Sequence, residues 1–369
     1  MNNNDIIVIH PYLKTSRGEK DYFLNEAVNL VKAINLNCLY SGYVGLEKIS
    51  PKTYLNEGFL LKLNQRRNDL KSDLIFLNTN LSPIQHRNLE KKLSCKIIDR
   101  TGLILEIFGS RARSNEGKLS VMLASLQFQK SRLVRSWTHL ERQRGGAGFM
   151  GGPGEKQIES DKRQLTEQIN RLKKKIKNIS SIRNIQRYRR KKNKIPVISL
   201  VGYTNSGKST LFNKLTKSDV LSKNMLFASL DSKISKCFLN NLNVLFIDTV
   251  GFIRDLPTTL IDSFKSTLDE IIYSDLILHV RDISNDYYLE HKREVTKTLN
   301  EIGISKDDPR IVEVINKVDL IDNNSKYHNQ IEGESLFISA LTGFGIERLK
   351  KCISENPLLF TKTLSKQSN

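Results

Sequence analysis

A chain of 369 residues has length for two or three domains, each able to bury its own core. Its formal net charge of +20, from 59 Lys and Arg against 39 Asp and Glu, points to a polyphosphate partner. Cys38, Cys95, Cys237 and Cys352 are scattered with no C-x-x-C pair or metal spacing, which argues against a disulfide framework or a zinc site. The first residues lack the basic start and apolar stretch of a signal peptide, and no uncharged run approaches the roughly 18 residues that span a bilayer. A soluble, cytoplasmic, monomeric protein is expected.

In chain order, short apolar strands at 6–9, 37–40, 74–78 and 96–99 alternate with helical stretches such as 21–34. That pattern predicts a small α/β domain with a mostly parallel sheet over 1–112, in which no phosphate loop is visible. A helix over 117–136 and a longer one over 155–192 would form an antiparallel helical hairpin at 113–194. In the second helix Leu165, Ile169, Leu172, Ile176 and Ile179 recur at alternating four and three, a seam for packing on a partner helix. Between 168 and 194 there is no acidic residue, yet twelve Lys and Arg, including Lys173, Lys174 and Lys175. Lys and Arg would line the outer faces of this helix, for RNA or an anionic membrane surface.

The loop between the helices, 144–155, holds six glycines, too many for a helix and too few side chains for a core. Phe149 could stack on an exposed base while Arg142 and Arg144 hold phosphates. A flexible linker is the equal alternative on these residues alone.

A third domain is expected over 195–356, with a short tail at 357–369. A strand at 195–201 leads into Gly202, Tyr203, Thr204, Asn205, Ser206, Gly207, Lys208 and Ser209, then a helix from Thr210. This is the G-x-x-x-x-G-K-[ST] phosphate loop in the context it requires. Its backbone N–H groups would face phosphate oxygens, Lys208 would reach the β- and γ-phosphates, and Ser209 would bind Mg2+. A strand at 240–247 ends at Asp248, Thr249, Val250 and Gly251. Asp248 would hold the magnesium through water and the Gly251 N–H would meet the γ-phosphate. A strand at 310–315 delivers Asn316, Lys317 and Asp319, and one at 335–338 delivers Ser339, Ala340 and Leu341.

Asp319 selects the base. Its carboxylate can accept from the ring N–H and the exocyclic amine of guanine, and adenine offers no such pair. Two hydrogen bonds to a charged group imply a preference of about a hundredfold, so GTP or GDP is the expected ligand and ATP a poor one. Lys317 would lie along the purine, and Asn316 would tie this loop to the phosphate loop. Phe252, after Gly251, cannot orient an attacking water. Unaided turnover should then be comparable to or below ~10⁻⁴ per second, and stimulation must come from elsewhere.

These motifs, together with Asp99-Arg100-Thr101-Gly102, Arg111-Ala112-Arg113, Trp137-Thr138-His139-Leu140-Glu141-Arg142-Gln143, Gly152-Pro153-Gly154-Glu155 and 248–257, resemble the HflX-type ribosome-associated GTPases of the Obg-HflX group. The resemblance implies an N-terminal family domain, a helical pair whose glycine loop reaches the peptidyl-transferase region of the large ribosomal subunit, and a P-loop GTPase domain. It implies a GTP-hydrolysing switch that splits or rescues stalled ribosomes, particularly under stress. Asn205 stands where some related GTPases hold K+ near the phosphates.

Two departures stand out. In the first switch segment, Phe227, Ala228, Ser229, Leu230 and Asp231 are followed by Ser232 and Lys233, where relatives read F-A-T-L-D-P-T. The expected switch threonine is thereby replaced by lysine, with Ser229, Ser232 or Ser235 as substitutes. Little of the chain follows Lys350, so the extra C-terminal domain of many relatives is expected to be absent. Alternatives are a signalling GTPase on a protein or membrane target, and a hydrolysis-impaired GTP sensor that holds ribosomes idle.

Overall fold

The computed structural model describes residues 4–15, 20–143, 153–217, 226–227, 230, 232–239, 242–321 and 335–359. Only the backbone course is described for 134–143, 153–158, 258–259 and 266–267. Two compact units divide the chain, one of residues 1–110 with 118–175 and the other of 111–117 with 176–369.

In the first unit β1 (Asp5–Leu13), β2 (Asn37–Leu46), β3 (Leu74–Leu77) and β4 (Lys96–Asp99) form a sheet in the order β2-β1-β3-β4. Every pairing is parallel. Parallel neighbours need crossovers, and α1 (Lys20–Ala33), α2 (Glu57–Leu70) and α3 (Pro83–Leu93) supply them, followed by α4 (Arg100–Arg111). Helices on both faces make the inner strands apolar throughout, so Ile6, Ile7, Val8 and Ile9 are all buried. Helix α3 starts on a full capping box, with Ser82 and Gln85 exchanging backbone bonds and Pro83 in the first turn, a combination that stops the preceding loop at a defined residue. Inside, Arg100 donates to Glu26 at 2.9 Å and to Asn78 at 2.6 Å, all three buried. Removing one partner of such a pair is far costlier than the pair is stabilising.

The strands expected at 6–9, 37–40, 74–78 and 96–99 are present, the first two running on to Leu13 and Leu46. Helices α2 and α3 had no counterpart in the sequence reading.

Two long helices follow, α5 (Asn115–Gln143) and α6 (Pro153–Lys192). On α6, Ile169 and Leu172 are buried while Lys173, Lys174 and Lys175 face solvent. Further along the same helix the expectation of an outward basic face needs correction. Arg183 pairs with Glu116 at 2.6 Å, and Arg187 and Arg190 both close on Glu270 at 3.0 and 2.8 Å. Glu270 belongs to α9 (Lys265–Ile272) and is 2% exposed, so its charge must be met from within. Arg187 also lies 4.8 Å from the Tyr273 ring centroid. At least three of the twelve cations are therefore engaged inside the protein.

The second unit carries a six-stranded sheet of β5 (Val197–Val201), β6 (Lys233–Leu239), β7 (Leu242–Asp248), β8 (Leu276–Asp282), β9 (Ile311–Asn316) and β10 (Leu336–Phe337). The order is β10-β9-β8-β5-β7-β6, parallel except for the β6–β7 hairpin. From β5 the chain goes first to one side, through β6 and β7, and then to the other through β8, β9 and β10. The carboxyl end of β5 is thus the place where strand order reverses, and open α/β sheets bind ligands there. Helices α7 (Lys208–Thr216), α8 (Thr258–Ser263), α9, α10 (Tyr288–Glu301) and α11 (Ile346–Ser354) accompany the strands. Leu200, Phe212, Phe246, Leu278, Val314, Ile338 and Leu349 are fully buried in one cluster.

Replacing Glu270 by alanine leaves two largely buried guanidinium groups facing each other without their shared carboxylate. The C-terminal part of α6 and α9 should lose about 3 kcal/mol of local protection, read as faster amide hydrogen exchange over both helices. Unchanged exchange would show that the two arginines find water instead.

Candidate nucleotide site

Four loops leave the carboxyl ends of β5, β7, β9 and β10, and parallel pairing brings all four to one edge of the sheet. The first is shaped by what it lacks. A Cβ on Gly202 would lie 2.2 Å from the Val280 carbonyl oxygen, and one on Gly207, where φ is 92°, would lie 2.2 Å from Asn316 Nδ2. Neither position accepts a side chain without displacing backbone or breaking a bond.

Asn316 ends β9 and is 1% exposed. Its Nδ2 donates to the Ser206 carbonyl at 2.9 Å, and its Oδ1 accepts from the Ala340 N–H at 2.9 Å. One amide therefore joins the loops after β5, β9 and β10.

Lys208 opens α7 and is buried, its Nζ donating to the carbonyls of Gly202 and Tyr203 at 3.0 and 2.8 Å. Burial pulls its pKa down to about 8, against the partial restoring effect of the Asp248 charge. An incoming anion would raise that pKa again, because a nearby negative charge favours the charged form. Thr204 Oγ1 and Ser206 Oγ, also buried, have no hydrogen-bond partner among the described residues. Buried hydroxyls without partners are costly, and two of them in a loop of this shape are donors suited to phosphate oxygens. Ser209 and Thr210, half-buried, continue the first turn of α7.

Ser209 Oγ donates to Asp248 Oδ2 at 2.7 Å, with Asp248 fully buried at the end of β7. A hydroxyl and a carboxylate are hard-oxygen ligands of the kind that magnesium takes. Thr249 is anchored by its hydroxyl to the Leu200 carbonyl at 2.6 Å, and Val250 is buried. At Gly251 a Cβ would stand 2.9 Å from Thr204 Cα and 3.1 Å from Lys208 Nζ. The loop after β7 thus lies against the phosphate loop, as two backbone bonds confirm: Thr204 N to Phe252 O at 2.7 Å and Phe252 N to Gly202 O at 3.1 Å. Phe252 is 1% exposed.

Lys317 takes a left-handed backbone, φ 66°, and its Nζ pairs with Asp282 Oδ2 at 2.6 Å. Asp319, in the single turn Val318–Leu320, is exposed, as are Leu341 and Asn205, the last with φ 63°. Ser339 and Ala340 are buried, with Ser339 Oγ accepting from the Thr342 N–H at 3.1 Å. Of the residues expected to form the first switch, Phe227 and Leu230 are buried, while Ala228, Ser229 and Asp231 lie outside the described residues. Lys233 stands directly opposite Asp248 in the β6–β7 register. Arg144 and Phe149 lie outside the described residues, and Arg142 is described only in its helical backbone.

The sequence reading missed Asp282, which orients Lys317, because it missed β8 altogether. The run Leu276, Ile277, Leu278, with Val280 beyond, was the available signal. It also missed His291 of α10, whose ring stacks on Tyr203 at 3.8 Å and 9°.

Known proteins resemble this chain over most of its length. A family model described as GTP-binding GTPase N-terminal matches residues 21–109, one described as GTP-binding GTPase Middle Region matches 111–190, and one described as 50S ribosome-binding GTPase matches 197–317. The GTPase HflX of Magnetococcus marinus is 44% identical over 338 residues, 91% of this chain and 78% of that protein. The GTPase HflX of Escherichia coli K12 is 37% identical over 353 residues, 95% and 82% of the two chains. A solved complex of a protein named SsGBP with GDP superposes with a TM-score of 0.50 at 27% identity, covering 95% of this chain and 98% of that one. An EF-hand domain model also matches 273–368. In this chain that stretch contains the parallel strands β8 and β9, and no group of three metal-binding side chains occurs among the described residues. The chain belongs to the HflX family of GTPases and hydrolyses GTP.

Gly207→Ala puts a methyl group on the Asn316 amide in a strained backbone. Nucleotide affinity should fall by more than about tenfold, since the bond to Ser206 is worth roughly 1 kcal/mol and the strain adds at least as much. Calorimetric titration with GDP measures it, and wild-type affinity would show that the loop can relax around the methyl.

Proposed function

We propose that this HflX-family GTPase docks on the large ribosomal subunit in its GTP state, splits or rescues stalled ribosomes there, particularly under stress, and leaves after hydrolysis. The observation that carries the reading is the Asn316 amide, which sets the phosphate loop, the Asp319 loop and the Ala340 loop at one edge of the sheet. Residues 202–210 would wrap the phosphates, with Lys208 and the Thr204 and Ser206 hydroxyls turning to them. Asp319, exposed at the edge of the site, would accept both guanine donors, and the Ala340 N–H region would face the guanine carbonyl. Ser209 would hold Mg2+ directly and Asp248 through water, and the ion would neutralise charge on the phosphates. Asn205 is the position for a K+ ion beside them.

Ribosome docking draws support from the description of the model matching 197–317 as a 50S ribosome-binding GTPase and from the charge of the helical arm. Lys173, Lys174 and Lys175 are exposed, and RNA phosphates are their natural partners. Arg142, Arg144 and Phe149 would complete that contact at the glycine loop. Phe252, buried and apolar, cannot activate water, so the subunit would supply what the chain lacks.

Two measurements test this reading. Purified large subunits should raise GTP turnover at least about tenfold, as trans-acting stimulation does in related switches; an unchanged rate with subunits from the same organism contradicts ribosome docking. Asp319→Asn should weaken guanine nucleotides by about a hundredfold and strengthen xanthine nucleotides, since the amide donates where the carboxylate accepted. Failure of xanthosine triphosphate to bind better would mean that the base lies elsewhere.

A further inference from the structure

Tyr203 touches two parts of the second unit that are distant from it in sequence, and the lysine that follows in its own loop. Its hydroxyl accepts the Arg254 N–H at 3.1 Å, three residues beyond Gly251. Its ring, 5% exposed, is stacked face to face on His291 of α10, with centroids 3.8 Å apart. Its carbonyl accepts from Lys208 Nζ at 2.8 Å. The backbone bonds between Gly202, Thr204 and Phe252 bracket it on both sides. The segment 252–254 is thereby fixed to the phosphate loop at both of its ends, once through backbone and once through this phenol.

In a site where position 252 is a buried phenylalanine, the loop can assist hydrolysis through where its backbone stands. Loop placement is costly in entropy, and a ring clamped by stacking provides it in advance. We propose that Tyr203 is a positioning residue for GTP hydrolysis: its hydroxyl, steadied by the stack on His291, holds the Gly251 to Arg254 loop at the distance from the phosphate loop that hydrolysis requires. The proposal rests on the assignment of residues 202–209 as the phosphate cradle. Tyr203 acts through the Arg254 amide and the loop it carries.

The test is single-turnover hydrolysis at saturating GTP, with GDP affinity measured by calorimetry, on the full-length chain and three variants. Tyr203→Phe keeps the stack and removes the hydroxyl that accepts from the Arg254 N–H. It should slow hydrolysis about fivefold, the loss of one neutral hydrogen bond, while GDP, which lacks the phosphate facing Gly251, binds within about twofold of wild type. His291→Ala should slow hydrolysis similarly, and His291→Phe, which preserves a flat ring, should restore it. A wild-type rate for Tyr203→Phe overturns the proposal. So does GDP affinity that falls in step with the rate, which would make Tyr203 a prop for the phosphate loop alone. Equal rates for His291→Ala and His291→Phe remove the stack from the account. Absence of GDP binding by the unmodified chain would instead sink the nucleotide-site reading beneath it.

Discussion

The side-chain amide of Asn316 is the constraint on which the site depends. Four loops reach the same edge because parallel strands must, yet strand ends alone leave loops free to drift by several ångströms. Asn316 removes that freedom by donating to one loop and accepting from another while its own backbone anchors a third. Both bonds are buried, so neither group can exchange its partner for water, and the penalty for separation is high. The absence of a Cβ at Gly207 is the other half of the contact, since any side chain there would occupy the place of the amide.

From this fixed frame the second loop is set by different means. The segment after β7 is zipped to the phosphate loop by backbone bonds around Phe252, which needs no polar side chain at that position. Downstream it continues through α8 into α9, where Glu270 meets Arg187 and Arg190 of α6. The Gly251 edge of the site and the C-terminal end of α6 are therefore joined by one short stretch of chain.

Much of this was legible in the sequence, and the reason is specific. The phosphate loop, the Asp248 to Gly251 turn, Asn316 to Asp319 and Ser339 to Leu341 each demand particular residue types, because backbone must approach closely or a buried polar group must find its partner. Such demands leave fixed letters at fixed spacing. Strand β8 left none: it is buried on both faces, so its run of apolar residues has no period to mark it, and with it Asp282 went unseen. Edge strand β6, with exposed Lys233, Ile234, Lys236 and Phe238, reads as neither strand nor loop. The stack of Tyr203 on His291 and the clamp of Arg187 and Arg190 on Glu270 are contacts between elements far apart in the chain, and no local pattern announces them. Counting all the arginines of α6 as outward charge was the matching error, since composition cannot tell a solvated guanidinium from a paired one.

Calorimetric titration of the full-length chain with GDP and, separately, with ATP, in magnesium buffer, bears most directly on the three-loop frame held by Asn316. Saturable heat with GDP and none with ATP at the same concentrations is the expected result. Equal binding of the two, or silence with GDP, would contradict it.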